Sequence, residues 1–164
     1  MVIILMGASG SGKTFIGKRL AAELDWSFYE GDDYHSQHNI EKMSQGIALT
    51  DADRAPWLEA LHELIGKLLR QGEAAVLSCS ALKRAYRKRL VGGYDDVRIV
   101  YLRGSYALIR QRLEARQGHY MKAALLASQF QALEEPKPSE EVLAVDASQQ
   151  PQTIVETIER KLIG

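Results

Sequence analysis

The stretch GASGSGKT, from Gly7 to Thr14, matches the spacing G-x-x-x-x-G-K-[ST]. It follows VIILM, a continuous apolar run that predicts a strand buried on both faces. It precedes TFIGKRLAAELD, whose apolar residues have helical spacing. Glycines allow backbone N–H groups to turn onto phosphate oxygens, and the following helix presents its positive end to the same anion. The stretch therefore predicts a phosphate-binding loop between a first strand and a first helix.

Each position of this loop has an expected task. We expect Lys13 to reach the β- and γ-phosphates of a nucleotide and Thr14 to bind Mg²⁺. The loop backbone should hold the phosphates, at Gly7, Ala8, Ser9, Gly10, Ser11 and Gly12. The sequence has no N-K-x-D pattern, so guanine selection is not indicated and ATP is the expected nucleotide.

Four further apolar runs alternate with helical patterns along the 164 residues: WSFYE, AAVLSC, VRIVYL and VLAVD. Such alternation predicts an α/β fold with a five-stranded parallel sheet flanked by helices. No repeat or long linker divides the chain, so we expect a single domain over residues 1–164.

Composition limits the partners and the compartment. Lys plus Arg and Asp plus Glu both number 21, so no net field favours nucleic acid or a membrane surface. No apolar stretch is long enough for a membrane span, and the amino-terminal run MVIILMG is too short for a signal peptide. The single cysteine, Cys79, suits a reducing compartment. We therefore expect a soluble cytoplasmic protein.

The stretch FYEGDDYH, from Phe28 to His35, ends the second predicted strand and has three carboxylates in four residues. A metal-binding acid usually ends a strand beside the loop strand, and VLAVD offers Asp146. That strand is the last of the five, so we interpret Asp146 as the start of the turn into the helix near Pro151. The metal and base tasks then fall to Glu30 and Asp32.

Basic residues cluster in two further segments. DRAPWL places Arg54 and Trp57 three residues apart on a helix, where Arg54 suits a substrate carboxylate and Trp57 suits core packing as well as a site. A surface role for Arg54 remains the alternative. SCSALKRAYRKR places Lys83 and Arg87 four residues apart, on one predicted face. Its other cations suit a solvated surface, with an RNA-binding patch as the rival interpretation: Arg84, Lys88 and Arg89.

Six segments, in order and covering nearly the whole chain, resemble the gluconokinases: GASGSGKT, FYEGDDYH, NIEKMSQGIALTDADRAPWL, SCSALKRAYR, RLEARQGHYM and LASQFQALEEP. Three of these segments identify the family more specifically than the phosphate loop alone: DADRAPWL, CSALK, and GHYM followed by QFQALEEP. The resemblance implies a P-loop kinase of the nucleoside-monophosphate-kinase-like class, with a lid around residues 116–136. It also implies ATP-dependent phosphorylation of D-gluconate at its 6-hydroxyl, and a homodimer.

The resemblance also implies residue roles. Asp32 would lie beside the substrate hydroxyl, and Glu30 would support Mg²⁺ through water, although related kinases carry Asp-x-Asp here. Lys83 and Arg87 would lie at the substrate. We expect Asp33 to point away, because neighbours at the end of an extended strand face opposite sides.

The resemblance further implies a lid that contributes arginines to the transferred phosphoryl group. Arg116 would act on that group, and Arg112 would lie along the adenine or the phosphates. His35 and His119 are candidates for bonding substrate hydroxyls. The alternatives are a kinase for another small acid, such as shikimate, and a nucleotide-regulated RNA-binding protein.

Overall fold

The structure, a computed structural model, describes residues 1–115 and 123–164. Its five strands form one parallel sheet in the order β2-β3-β1-β4-β5: β1 (Val2–Met6), β2 (Ser27–Glu30), β3 (Ala75–Ser78), β4 (Val97–Arg103) and β5 (Leu143–Asp146). The predicted five-stranded parallel sheet is confirmed. Because β1 is central, the loop that follows it emerges at the middle of the carboxyl edge of the sheet.

Helices follow the strands as the apolar spacing predicted. They are α1 (Lys13–Leu24), α2 (Gln37–Ser44), α3 (Asp51–Arg70), α4 (Arg84–Val91), α5 (Tyr106–Ala115), α6 (Ala123–Ala132) and α7 (Pro151–Ile158), which continues as a π-helical turn (Glu159–Ile163). Two 3₁₀ turns, which the sequence patterns did not indicate, follow β2 (Gly31–Tyr34) and precede β5 (Pro138–Glu140). No helix in the described ranges combines the length and the apolar character needed to cross a bilayer.

The sheet is covered on both faces, which explains the solid apolar run of β1. Val2, Ile4 and Met6 pack with residues of α3 and α4. Ile3 and Leu5, which alternate with them, pack with residues of α1 and α7. A strand whose alternate side chains enter two different cores has no polar face.

A third, smaller core lies at the phosphate-binding loop. Ala8 of the loop packs with Ile109 and Leu113 of α5 and with Leu126 of α6. The helices on either side of residues 116–122 are therefore attached to the loop itself. Part of the predicted lid, including Arg116 and His119, lies outside the described residues.

Candidate functional site

The loop between β1 and α1 has the backbone that a phosphate cradle requires. Gly7, Gly10 and Gly12 have φ of 152°, 85° and 102°, a region that side chains rarely adopt. A Cβ at Gly7 would also lie 2.7 Å from Ser11 Oγ. Lys13 Nζ donates to the carbonyl oxygens of Gly7 at 2.9 Å and Ala8 at 3.1 Å. The loop thus curls around the amine that should meet the phosphates.

Burial lowers the pKa of Lys13, while the charges of Asp32 and Glu30 oppose this change. The amine therefore lies close to two acids that follow a different strand. This electrostatic coupling places the predicted cation and the predicted acids in one site.

Glu30, at the end of β2, connects three elements. Its carboxylate accepts hydrogen bonds from Thr14 Oγ1 of α1 and from Ser78 Oγ at the end of β3. Thr14 and Glu30, the two residues predicted to serve the metal, are therefore in direct contact. Asp146 is elsewhere, since its Oδ1 accepts from Ser148 N at 2.8 Å in the turn after the edge strand β5.

Asp32 and Asp33 lie in a 3₁₀ turn, so the argument from an extended strand end was wrong. The turn passes close to β3, and a Cβ at Gly31 would lie 2.2 Å from Ser78 O. Both aspartates are exposed, and the Asp32 side chain keeps 73% of its surface accessible in an open cleft. Protein around that cleft nevertheless raises the pKa of Asp32 by desolvation, and Lys13 opposes the rise. Of the two, only Asp32 lines the cleft with Lys13.

His35 lies against Trp57 beside this acid. The two rings stack with centroids 4.2 Å apart, and Asn39 Nδ2 donates to His35 Nδ1 at 3.2 Å. Trp57 Nε1 donates to Gly31 O at 2.8 Å, which ties α3 to the 3₁₀ turn. Burial, followed by the charge of Arg54, lowers the pKa of His35 to about 4. The imidazole is therefore neutral at physiological pH.

Arg54 and Lys83 meet at one phenol. Arg54 Nη1 donates to Tyr86 Oη at 2.9 Å, and the Tyr86 hydroxyl donates to Asp51. Lys83 Nζ donates to Asp51 Oδ1 at 2.9 Å. Hydrogen bonds from Tyr86 and then Lys83, together with the charges of Lys83 and Arg54, lower the pKa of Asp51. Thr50 begins α3 with a capping box that it shares with Asp53, which fixes the start of the helix carrying Arg54.

Two adjoining cavities connect these groups. One, of about 90 Å³, is lined by Lys13, Asp32 and His35. The other, of about 380 Å³, is lined by Asp51 and Lys83. Both are also lined by Leu49, Arg54 and Ser128. A polar cleft therefore runs from an acid beside the phosphate loop to a pair of cations.

A separate cleft of about 330 Å³ lies on the other side of the loop and is lined by Gly12, Phe15, Arg112 and Pro151. Arg112 Nη2 donates to Ala147 O at 2.7 Å, and Arg112 Nη1 donates to Ser11 O at 3.4 Å. The predicted nucleotide arginine thus lies between the loop and the turn after β5. The mostly apolar surroundings suit a flat base.

Arg87 does not face either cavity of the polar cleft, contrary to the predicted face shared with Lys83. Its side chain is 2% exposed, and Nε donates to Glu140 Oε1 at 2.8 Å. Its Nη atoms donate to Ala81 O, Leu82 O, Glu134 O and the second oxygen of Glu140. Five hydrogen bonds use the full donor set of a guanidinium, so Arg87 has a structural role.

Sequence reasoning did not find Ser78, Asp51 or Tyr86. Ser78 ends β3, and the run AAVLSC has no acid that would mark this strand end as part of a site. Tyr86 lies three residues after Lys83, and Asp51 lies three before Arg54, so spacing from a known candidate was the available signal.

Comparisons with known proteins show the family and the fold of the chain. A family model described as an AAA domain matches residues 2–136. The gluconokinase of Gluconobacter oxydans is 44% identical, over 96% of this chain and 89% of that protein. The thermosensitive gluconokinase of Escherichia coli is 49% identical, over 84% and 74%. The crystal structure of a gluconokinase from Sinorhizobium meliloti superposes with a TM-score of 0.84 at 43% identity, over 94% of this chain and 87% of that one.

Proposed function

The chain belongs to the gluconokinase family, and from this premise we propose that it transfers the γ-phosphoryl group of ATP to the 6-hydroxyl of D-gluconate. One observation supports this function above the others. A single polar cleft joins Asp32 and Lys13, which suit phosphoryl transfer, to Arg54 and Lys83, which suit a carboxylate. Gluconate has a hydroxyl at one end and a carboxylate at the other.

The nucleotide would lie across the phosphate loop. The loop amides and Lys13 bind the β- and γ-phosphates, and the base enters the cleft beside Arg112. Phosphoryl transfer passes through a loose transition state, so the protein contributes mainly alignment and charge neutralisation. Lys13 suits both alignment and charge neutralisation because it lines the same cavity as Asp32.

Asp32 would orient the attacking hydroxyl and accept its proton late in the transfer. Desolvation by the protein around the cleft raises the pKa of this carboxyl, which makes it a stronger base than an ordinary aspartate. The neutral imidazole of His35, with Nε2 4.0 Å from Asp32 Oδ1, would bond a neighbouring substrate hydroxyl.

Arg54 and Lys83 would bind the substrate carboxylate at the other end of the cleft. Arg54 donates to Tyr86 and Lys83 donates to Asp51, and the hydrogen bond from Tyr86 to Asp51 holds the two cations near one place. A charge-assisted pair of this kind favours acids over neutral sugars.

The residues present also fit magnesium. Thr14 and Glu30 offer oxygen atoms at the loop, Glu30 through water, which suits an ion held by few protein ligands and by phosphates. When bound, Mg²⁺ would neutralise charge on the β- and γ-phosphates.

Residues 1–164 would form one domain with a lid around 116–136, from which Arg116 would reach the transferred group and His119 the substrate. A cytoplasmic homodimer is proposed from the family resemblance, and light scattering after size-exclusion chromatography would test the dimer. We propose neither nucleic acid nor membrane as a partner.

An ADP-release assay over sugar acids, neutral sugars, shikimate and nucleoside monophosphates tests the proposal. Gluconate should give the highest kcat/KM, and a higher value for shikimate would contradict it. A gel-shift experiment with polynucleotide would test the RNA-binding alternative, which the exposed cations Arg84 and Lys88 suggest.

Asp32 can be tested against its neighbour. Asp32→Asn should lower kcat by about 100-fold or more, because the base is lost, while the KM for ATP changes little. Asp33→Asn removes the same charge one residue away and should stay within about threefold of wild type. Equal losses in both variants would refute the assignment of Asp32.

A further inference from the structure

We propose that Gln129, on α6, is a catalytic residue that donates a hydrogen bond to the phosphoryl group during transfer. This inference rests on the proposed function and adds a group from α6 to the transfer site. Gln129 belongs to QFQALEEP, a segment to which the sequence assigned no chemical task.

The first observation is a hydrogen bond between α6 and the phosphate loop. Ser9 N donates to Gln129 Oε1 at 2.8 Å, across 120 positions of the chain. An isolated phosphate loop would have only solvent or ligand for this amide. The bond therefore fixes one end of the carboxamide against the backbone of the loop.

The second observation is that α6 is attached to the loop independently of this bond. Leu126, one turn before Gln129, is 2% exposed and packs with Ala8 of the loop and with Leu113 of α5. Gly10 lies so close to α5 that a Cβ there would be 2.9 Å from the Leu113 side chain. The helix that carries Gln129 thus has a defined place beside the loop.

The third observation is where the carboxamide lies. Gln129 lines the cavity that Lys13 and Asp32 also line. Because Oε1 accepts from Ser9 N, Nε2 is at the other end of the amide, and no partner for Nε2 occurs among the described residues. A glutamine amide carries two N–H donors and cannot donate through its oxygen.

A phosphoryl group in transit passes between the loop-bound nucleotide and the hydroxyl held by Asp32. Its equatorial oxygens gain hydrogen bonds from donors that are already in place. Lys13 supplies one such donor, and Gln129 Nε2, in the same cavity, supplies another. The Ser9 bond fixes the oxygen end of the carboxamide at the cavity wall and leaves the Nε2 donors for a phosphoryl oxygen.

Two substitutions separate this role from a structural one. Gln129→Met keeps the length of the side chain and removes both hydrogen-bonding groups. Gln129→Glu keeps an oxygen for Ser9 N and removes the N–H donors. Both should lower kcat with gluconate by about 10- to 100-fold, with a KM for ATP within about twofold of wild type. A wild-type kcat in Gln129→Glu would show that only the bond to Ser9 matters and would overturn the proposal.

Trapping of a planar phosphoryl mimic provides a readout besides turnover. Wild-type protein should bind ADP more tightly in the presence of magnesium and aluminium fluoride, and Gln129→Met should lose about tenfold of that gain. An undiminished gain in Gln129→Met would overturn the proposal. Gln71→Met, the same change at an exposed glutamine after α3 at the opposite edge of the sheet, should retain wild-type kcat and trapping.

Gluconate phosphorylation and the role of Gln129 can be refuted independently of each other. If wild-type protein does not phosphorylate gluconate, the proposed function is overturned. The trapping measurement needs no sugar acid, so it still decides on Gln129. Thermal unfolding of both Gln129 variants should remain within a few degrees of wild type, since the residue is only partly buried.

Discussion

Acidification should destabilise the protein through His35. Its side chain is 4% exposed and stacks on Trp57, and burial followed by the charge of Arg54 lowers its pKa to about 4. In the unfolded chain a histidine has a pKa of about 6.5. Between these two values the unfolded chain binds a proton that the folded protein excludes.

The sign and size of the effect follow from this difference. Because the folded pKa is depressed, the free energy of unfolding is highest above pH 6.5 and falls as the pH falls towards 4. The full difference corresponds to about 3 kcal/mol, at about 1.4 kcal/mol for each pKa unit. From pH 7 to pH 5 the loss assigned to His35 is about 2 kcal/mol.

Urea unfolding at pH 7 and pH 5 measures this loss. His35→Gln removes the titrating group, so its free energy of unfolding should fall by about 2 kcal/mol less than that of wild type over the same interval. The lost stacking on Trp57 affects both pH values and cancels. His38→Gln, the same substitution at a side chain that is 69% exposed, is the control variant.

The result for His35→Gln can refute the reasoning directly. If this variant loses as much stability as wild type between pH 7 and pH 5, the ring does not exclude the proton. The neutral role proposed for His35 at the substrate would then also be wrong.

Two further predictions concern the contribution of buried side chains to stability. Arg87→Met should lower the free energy of unfolding by about 3–5 kcal/mol, because Glu140, 11% exposed, would keep a charge without its partner. A loss below about 1 kcal/mol in urea unfolding would contradict a structural role for the Arg87–Glu140 pair. Trp57→Phe should cost about 1–3 kcal/mol, because Gly31 O loses its donor. Trp26→Phe, at a partly buried ring, is the control for the latter, and equal losses in the two variants would contradict the importance of the Nε1 bond.

The fold was predictable because its determinants are local. The loop GASGSGKT requires a strand before it and a helix after it, and the solid apolar run of β1 requires cover on both faces. Each helix begins and ends within a few residues of its apolar pattern. The two 3₁₀ turns were missed because a single turn has no repeated pattern to detect.

The site was less predictable because spacing gives a direction only within one regular element. Lys83 and Arg87 are four residues apart and would share a face of a helix. Lys83, however, precedes α4 as its extended N-cap residue, with φ of −101°, so the helical relation does not hold. Lys83 reaches the cleft. Arg87 turns into the protein, where the Glu140 carboxylate and three backbone carbonyls determine its place. None of these partners is near Arg87 in sequence except Ala81 and Leu82.

The acids of FYEGDDYH coexist because the turn divides them among different partners. Glu30 ends the strand and accepts hydrogen bonds from the hydroxyls of Thr14 and Ser78. Asp32, two residues later, interacts with the charge of Lys13. An extended chain would place Glu30 and Asp32 on the same face, with no means of separating their tasks. The 3₁₀ turn separates them, and it lies so close to Ser78 O that only Gly31 fits at its start. The glycine between the acids therefore allows the turn that gives the two carboxylates different partners.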